Sequence, residues 1–226
     1  HAVNTVLVFF VAASLFNGAG TNSGRKTFSA FAAAALFALH PVNSEVVSWV
    51  GCVPELVYTL LCLSSLYLYM KSRELEKTRF LLVWASAALF FVALFAKETA
   101  IALPLLVFVY DITMRKHKRL ISLATLKRYL PYAILTAVYF AIRLKALGGM
   151  APRDNMYPYL SGWQYLLNAC ALFVNYLKTL IFPYGSYPFQ LLDPVFSIAE
   201  PKALISAALS SKKNFPSCRP VNPGPA

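Results

Sequence analysis

The chain has 226 residues, of which 58% are apolar and 13% charged, and its mean hydropathy is +0.58. A soluble domain of this size carries about a quarter charged residues, so composition argues against a water-soluble globule and for an integral membrane chain. The net charge of +12 would suit nucleic acid, but its placement does not. Twelve of the 21 basic residues fall in three segments: Arg25 and Lys26; Lys71, Arg73, Lys77 and Arg79; Arg115, Lys116, Lys118, Arg119, Lys127 and Arg128. These alternate with segments poor in Lys and Arg, which is the positive-inside pattern of a multi-pass protein facing anionic lipid. The ten-residue strand alternation of an outer-membrane barrel is absent.

Apolar blocks then define the expected elements in chain order. The first, 1–16, starts at once at His1, without signal-peptide anatomy, so the chain reads as a piece of a longer protein. It runs from outside to inside and ends in the loop NGAGTNSGRK. The block 28–40 returns outward and ends at His40-Pro41, because a residue before proline is pushed out of the α region. HPVNSEVVSWVGC therefore lies at the outer face, with Asn43 or Ser44 able to cap a short helix carrying Glu45 in its first turn. Gly51 should stop that helix. Pro54 suits the first turn of the next one, where a missing N–H costs nothing, and Glu55 sits near its positive dipole end.

The span 55–70 goes in and ends at KSRELEKTR. As one helix, 80–113 would be about 51 Å long at 1.5 Å per residue, too long for a single crossing of ~30 Å of hydrocarbon. The polar step Lys97-Glu98 should therefore be an outer-face turn between spans 80–96 and 99–113. Residues 114–128 are expected to be cytoplasmic, 129–146 to go out, and 147–162, rich in Gly, Pro and Tyr, to be an irregular outer loop. The run 163–182 is interrupted by Lys178. It reads either as a seventh span or as an interfacial helix with Trp163, Tyr165 and Tyr176 as belt residues. The expected fold class is thus all-α: a polytopic transmembrane helix bundle of six or seven spans over residues 1–190. Residues 191–226, with four prolines in the last eleven, read as a loop-like or disordered tail, native or the product of truncation or a frame error.

The polar residues at span ends are the candidate site. His40 and Glu45 are either interface and dipole residues or an imidazole and a carboxylate at the mouth of a cavity between spans, where ionisable groups at membrane depth usually face. Lys97 and Glu98 are neighbours that point about 100° apart on a helix. They are either a snorkelling pair or an anion site in which Lys97 meets a phosphate and Glu98 orients it or binds a sugar hydroxyl. Arg143 and Lys145 place positive charge at an outer end, against the orientation rule. Arg143 is either an interface anchor or a bidentate grip on a lipid phosphate. Asp111, beside a basic cluster at the inner end of its span, reads as topogenic or structural. Cys52, Cys62, Cys170 and Cys218 have neither metal nor redox spacing, and His1, His40 and His117 lack ligand spacing, so no metal site is expected. No nucleophile triad, Walker loop, HExxH or GxGxxG occurs.

Several stretches together carry a resemblance. HAVN opens a span; SAFAAAALFALHPVNSEVVSWV follows; a Pro-Glu-Leu step leads to LLCLSSLYLYM; LFAKETAIALPLLVFVYDI and YLKTLIFPYGSYP come last. In this order they resemble the membrane portion of the transmembrane and tetratricopeptide-repeat proteins. Those are polytopic glycosyltransferases of the GT-C fold, similar to protein O-mannosyltransferases. The resemblance covers roughly residues 1–190. Its most specific parts are His40-Pro41 with Glu45, and Lys97-Glu98 with Pro104 and Asp111.

The resemblance implies a polyprenyl-phosphate sugar as donor, a hydroxyl acceptor on protein, a carboxylate base and basic residues on the departing phosphate. His40, Glu45, Lys97, Glu98 and Arg143 become substrate-binding candidates lining an outer-face cavity; any divalent metal is left open. The chain begins at what resembles the family's second span. The first outer loop with its catalytic acid would then lie outside it, no catalytic residue is nominated here, and the chain alone is expected to be inactive. Val53 stands where family members often carry Arg, and no 34-residue repeat follows residue 190. Short loops favour a bacterial or archaeal plasma membrane, or the endoplasmic reticulum membrane in a eukaryote. The competing readings are a non-catalytic membrane anchor or scaffold and a transporter or flippase; the latter would show an internal repeat and mid-membrane breaks, neither of which is visible. Membrane lipid and no nucleic acid are the remaining expected partners.

Overall fold

The computed structural model describes residues 1–18, 22–75, 78–114, 123–147 and 161–182. All regular elements among them are helical: α1 (Ala2–Gly18), α2 (Ser23–Leu39), α3 (Ser44–Ser48), α4 (Val53–Glu74), α5 (Arg79–Ala96), α6 (Leu103–Met114), α7 (Leu123–Leu147) and α8 (Gly162–Ile181). Short 3₁₀ turns, Pro41–Asn43, Val50–Cys52 and Glu98–Ala102, join some of them. The chain divides into two compact units, His1–Arg153 and Asp154–Ala226, so α1–α7 and α8 are described separately. The boundary expected at residue 190 and the tail beyond it lie outside the described residues.

α1 and α2 form a hairpin whose contact is made by small side chains. Ala30 and Ala34 of α2 are buried, as are Val11, Ala12 and Ser14 of α1, and residues without bulk let two helix backbones approach closely. α2 begins five residues before the expected span. Arg25 and Lys26 therefore lie in its first turn and not in a loop, because nothing in SGRK forbids helix.

α4 and α5 form the second hairpin. Its core is shared with α6 and α7 and is built from Tyr69, Val83, Ala87, Phe90, Leu94, Leu103, Val107, Tyr132 and Tyr139. Aromatic rings meet edge to face or tilted, as their quadrupoles prefer: Tyr69 and Tyr132 at 6.4 Å, Phe90 and Tyr132 at 5.6 Å, Phe95 and Tyr139 at 5.4 Å. Polar groups inside this core are satisfied reciprocally. The Ser65 hydroxyl donates to the Ser86 carbonyl at 2.7 Å, the Ser86 hydroxyl faces the Ser65 carbonyl, and Ser86 also meets the Tyr132 hydroxyl at 2.6 Å.

The stretches Val50–Glu74 and Arg79–Ala96 are each long and apolar enough to cross a membrane, and Ser23–Leu39 with Pro41–Ser48, bent by 48°, make a third if counted as one. α4 and α5 measure about 33 and 27 Å at 1.5 Å per residue, which matches a hydrocarbon core of ~30 Å. The other helices are shorter or more polar: α1 has 17 residues, and the expected span 99–113 is a 3₁₀ turn followed by a helix of 12. Outward faces are strongly apolar: Phe28, Phe31, Leu36 and Leu39 of α2, Phe80, Leu81, Val92 and Phe95 of α5, and Leu105, Leu106, Phe108 and Val109 of α6 are all exposed.

α8 is one uninterrupted helix. A capping box starts it: the Ser161 hydroxyl accepts from the Gln164 N–H, and the Gln164 side chain accepts from the Ser161 N–H at 2.8 Å, satisfying two otherwise orphan donors. Lys178 falls in its last turn and does not break it. Gln164, Asn168, Asn175 and Lys178 recur at helical spacing and form a polar stripe on an otherwise apolar surface.

Candidate functional site

One end of the first unit is tied together by the start of α1. The His1 ring stacks on Phe37 at 5.0 Å, its Nε2 lies 3.3 Å from the Ala38 carbonyl, and the buried Asn4 amide donates to the Leu56 carbonyl at 3.1 Å. The α2 C-terminus and the α4 N-terminus therefore meet here.

The chain breaks at His40 as the proline rule requires: its φ is −66° and ψ 125°, and Pro41 opens the 3₁₀ turn. His40 Nδ1 accepts from the Val42 N–H at 3.2 Å, so the imidazole caps that turn. Asn43 stands at the cap position of α3, but its side chain makes no cap bond there. Its amide donates instead to the Phe37 carbonyl at 2.7 Å, satisfying one of the last open carbonyls of α2. Glu45 is half-buried in the first turn of α3. Gly51 sits against Trp49, where an added Cβ would lie 3.0 Å from the indole ring.

Two ion pairs complete this end. Lys97 is the extended residue between α5 and the turn Glu98–Ala102, and its Nζ donates to Glu55 Oε1 at 2.6 Å. Glu55 Oε2 is buried without a hydrogen-bond partner. Arg143, near the end of α7, donates from Nη1 to the Tyr139 hydroxyl at 2.9 Å, and its Nη2 lies 3.6 Å from Glu98 Oε1. Glu98 is 65% exposed, so that pair is a weak rim contact. Glu45, Glu55 and Lys97 are all near enough to the Cys52 thiol to act on it electrostatically. The structure thus gathers His40, Glu45, Lys97, Glu98 and Arg143 at the same end of the bundle.

Sequence reasoning missed Glu55, taking it only as a dipole partner. The signal was an acid in the first turn of α4 and a base just past α5, which an antiparallel hairpin brings to one level. It likewise missed Tyr139, one turn before Arg143 on α7, at the spacing where side chains meet.

At the opposite end Arg73 and two tyrosines converge on Asp111. This carboxylate is 4% exposed. Its Oδ2 accepts from the Tyr69 hydroxyl at 2.7 Å and the Tyr129 hydroxyl at 2.9 Å, and its Oδ1 faces Arg73 Nε at 3.3 Å. Three donors on one buried charge make the structural role expected for Asp111 concrete. Lys71 and Glu74 pair at 2.6 Å beside it. Burial and the neighbouring Arg73 and Arg79 guanidiniums push Arg128 below its ordinary value, although an arginine there stays charged.

A cleft of about 410 Å³ opens at this basic end, lined by Ser14, Asn17, Arg73, Glu74, Tyr110 and Asp111 among others. A second, near Phe16, Gly24 and Arg25, lies at the same end. Neither is lined by His40, Glu45, Lys97, Glu98 or Arg143, so the cavity expected around those residues is not one of these two. Among the described residues no group of three His, Cys, Asp or Glu side chains is placed to hold a metal ion. No family model, curated protein or solved structure matches the chain.

Proposed function

We propose that the chain is part of the membrane domain of a lipid-linked-sugar glycosyltransferase. In this reading it is a multi-pass bundle of six or seven spans resembling the GT-C fold of the transmembrane and tetratricopeptide-repeat proteins. It moves a sugar from a polyprenyl phosphate to a protein hydroxyl at the outer or lumenal face. The acceptor oxygen attacks the anomeric carbon, the bond from that carbon to the phosphate oxygen breaks, and the lipid phosphate leaves. Lys97 and Arg143 grip that phosphate, Glu98 binds a sugar hydroxyl, and His40 and Glu45 line the entrance. The base that takes the acceptor proton is assigned to a loop outside this chain.

The observation that carries the reading is the gathering of these five residues at one end, opposite the basic cluster. Two or three helices of crossing length and the exposed apolar faces of α2, α5 and α6 support the membrane setting, since monomers in water rarely expose contiguous apolar patches beyond a few hundred Å².

The test is Glu45→Ala and, separately, Lys97→Met in the full-length protein, assayed in membranes for transfer from polyprenyl-phosphate sugars at matched protein levels. A loss of about a hundredfold, roughly 2.7 kcal/mol of transition-state stabilisation, is expected of each. Unchanged transfer returns both to helix-ending roles. A non-catalytic anchor or scaffold is the second reading, favoured by one observation: Lys97 and Arg143 already have protein partners. It requires that His40, Glu45, Lys97 and Glu98 all be replaceable without loss.

A further inference from the structure

We propose that Glu55 is a positioning residue for Lys97: its carboxylate holds the Lys97 ammonium at a fixed point of the outer end, from which the ammonium meets the phosphate of the lipid-linked donor. The inference rests on the sugar-transfer reading and adds to it a residue that so far has no part in it.

A lysine alone is a poorly aimed grip, because its point charge rides on a flexible four-carbon stem. Here both sides of the bridge are anchored. Lys97 is an extended residue whose N–H donates to the Ala93 carbonyl at 2.9 Å and whose carbonyl accepts from the Ala100 N–H at 3.1 Å. Glu55 stands in the first turn of α4, next to Pro54, and its carbonyl accepts from the Thr59 hydroxyl at 2.6 Å. Glu55 Oε1 takes the ammonium at 2.6 Å, while Oε2 is buried without a hydrogen-bond partner. With Oε2 enclosed the carboxylate cannot swing, and Oε1 stays aimed at Lys97. An acceptor left unmatched inside lowers stability, and a contact serving stability alone gains nothing by leaving it so. The pair does not use Lys97 up. An ammonium has three donors; one goes to Oε1, no second partner is recorded among the described residues, and the side chain is 36% exposed. Glu98, the neighbouring acid, lies against Arg143 instead.

As the bond from the anomeric carbon to the phosphate oxygen breaks, its electron pair stays on that oxygen, and the lipid phosphate goes from one negative charge to two. A cation held in place gains most from the second charge, so its contribution falls on the transition state and therefore on kcat. Glu55 offsets the charge of Lys97 while the phosphate still carries one charge, which keeps donor binding modest.

The full-length protein in maltoside detergent is assayed at steady state with polyprenyl-phosphate mannose, and with the glucose analogue, against a Ser/Thr peptide. Glu55→Ala should lower kcat about tenfold, the scale of one charge-assisted hydrogen bond, with KM for the donor unchanged or lower. Glu55→Gln keeps an oxygen within reach of Lys97 and should hold kcat within about threefold of wild type. Glu55→Lys combined with Lys97→Glu restores the ion pair and the unfolding midpoint but moves the cation onto α4. Its kcat should stay at least about tenfold down, because a misplacement of about 1 Å suffices for such a loss. Lys71→Met breaks a pair of the same 2.6 Å length at the other end and should leave kcat within about twofold. The proposal is overturned if Glu55→Ala transfers as wild type while Lys97→Met loses activity, which leaves the sugar-transfer reading standing. It is also overturned if Glu55→Ala acts only by raising KM, if the exchanged pair transfers as wild type, or if Lys71→Met costs as much kcat as Glu55→Ala. Wild-type transfer by Lys97→Met as well defeats the sugar-transfer reading itself, and the positioning role with it.

Discussion

Replacing Asp111 by Ala should be among the most damaging single changes available in the first unit. The carboxylate is 4% exposed and takes three donors. Tyr69 is fully buried, and its hydroxyl would keep no acceptor, which costs about 2 kcal/mol. Tyr129 is partly buried and loses one bond, worth about 1 kcal/mol. Arg73 loses its countercharge; at 19% exposure water screens part of that loss, leaving about 1 kcal/mol. The total, about 4 kcal/mol, raises the unfolding constant by roughly a thousandfold. Asp111→Asn keeps one acceptor oxygen and should cost about half as much. Unfolding in mixed micelles, followed by loss of helical circular dichroism, measures both. In a double-mutant cycle with Tyr69→Phe the combined cost should fall short of the sum by at least about 1 kcal/mol, because the double variant has no orphaned hydroxyl. A cost below about 1 kcal/mol for Asp111→Ala, or strict additivity in the cycle, refutes the network as described.

Lys97→Met should destabilise by about 1 kcal/mol, at the upper end for a half-exposed pair, and adding Glu55→Gln should recover most of it; denaturation of both variants checks this. Ser86→Ala should cost about 2 kcal/mol in the same assay, since it deprives the buried Tyr132 hydroxyl of its partner. Gly51→Ala forces the Trp49 ring aside and should cost about 1 kcal/mol. Gly24→Ala, with open space around its Cβ position and a helical backbone, should be neutral or stabilising by up to about 1 kcal/mol. In a variant with Cys52, Cys62, Cys170 and Cys218 replaced, single cysteines at Ser23 and Val50 should react with impermeant maleimide from opposite sides of sealed vesicles. Labelling from one side only would defeat the membrane reading.

What the sequence displayed clearly was punctuation. His40-Pro41, Pro54 and the Lys97-Glu98 step broke the chain where expected, because proline geometry and charge act within a few residues of themselves. Tertiary partners left weaker marks. Lys97 finds Glu55 across 42 residues of chain, and Asp111 finds Tyr69 across another 42. Neither pairing follows from local preference, only from the hairpin register that packing sets. The start of α2 was also misjudged: glycine, serine and two cations look like loop, yet Ser23–Lys26 is tolerated as a first helical turn. Reading Lys178 as an interruption of α8 failed for a related reason, since a long cationic side chain near a helix C-terminus favours the dipole and need not end the helix.

The crossed serines at the middle of the α4–α5 hairpin have a mechanical consequence. Each donates to the other's backbone carbonyl, so neither helix can slide along the other without losing both bonds at once. A slip of one turn is about 5.4 Å, far more than a hydrogen bond stretches. Such a slip would carry Lys97 away from Glu55 at one end while shifting Arg73 at the other. Ser65 and Ser86 thus act as a locating pin: they set the zero from which the charges at both ends of the hairpin are measured, and any motion that joins those ends must turn or tilt the two helices as a single rod.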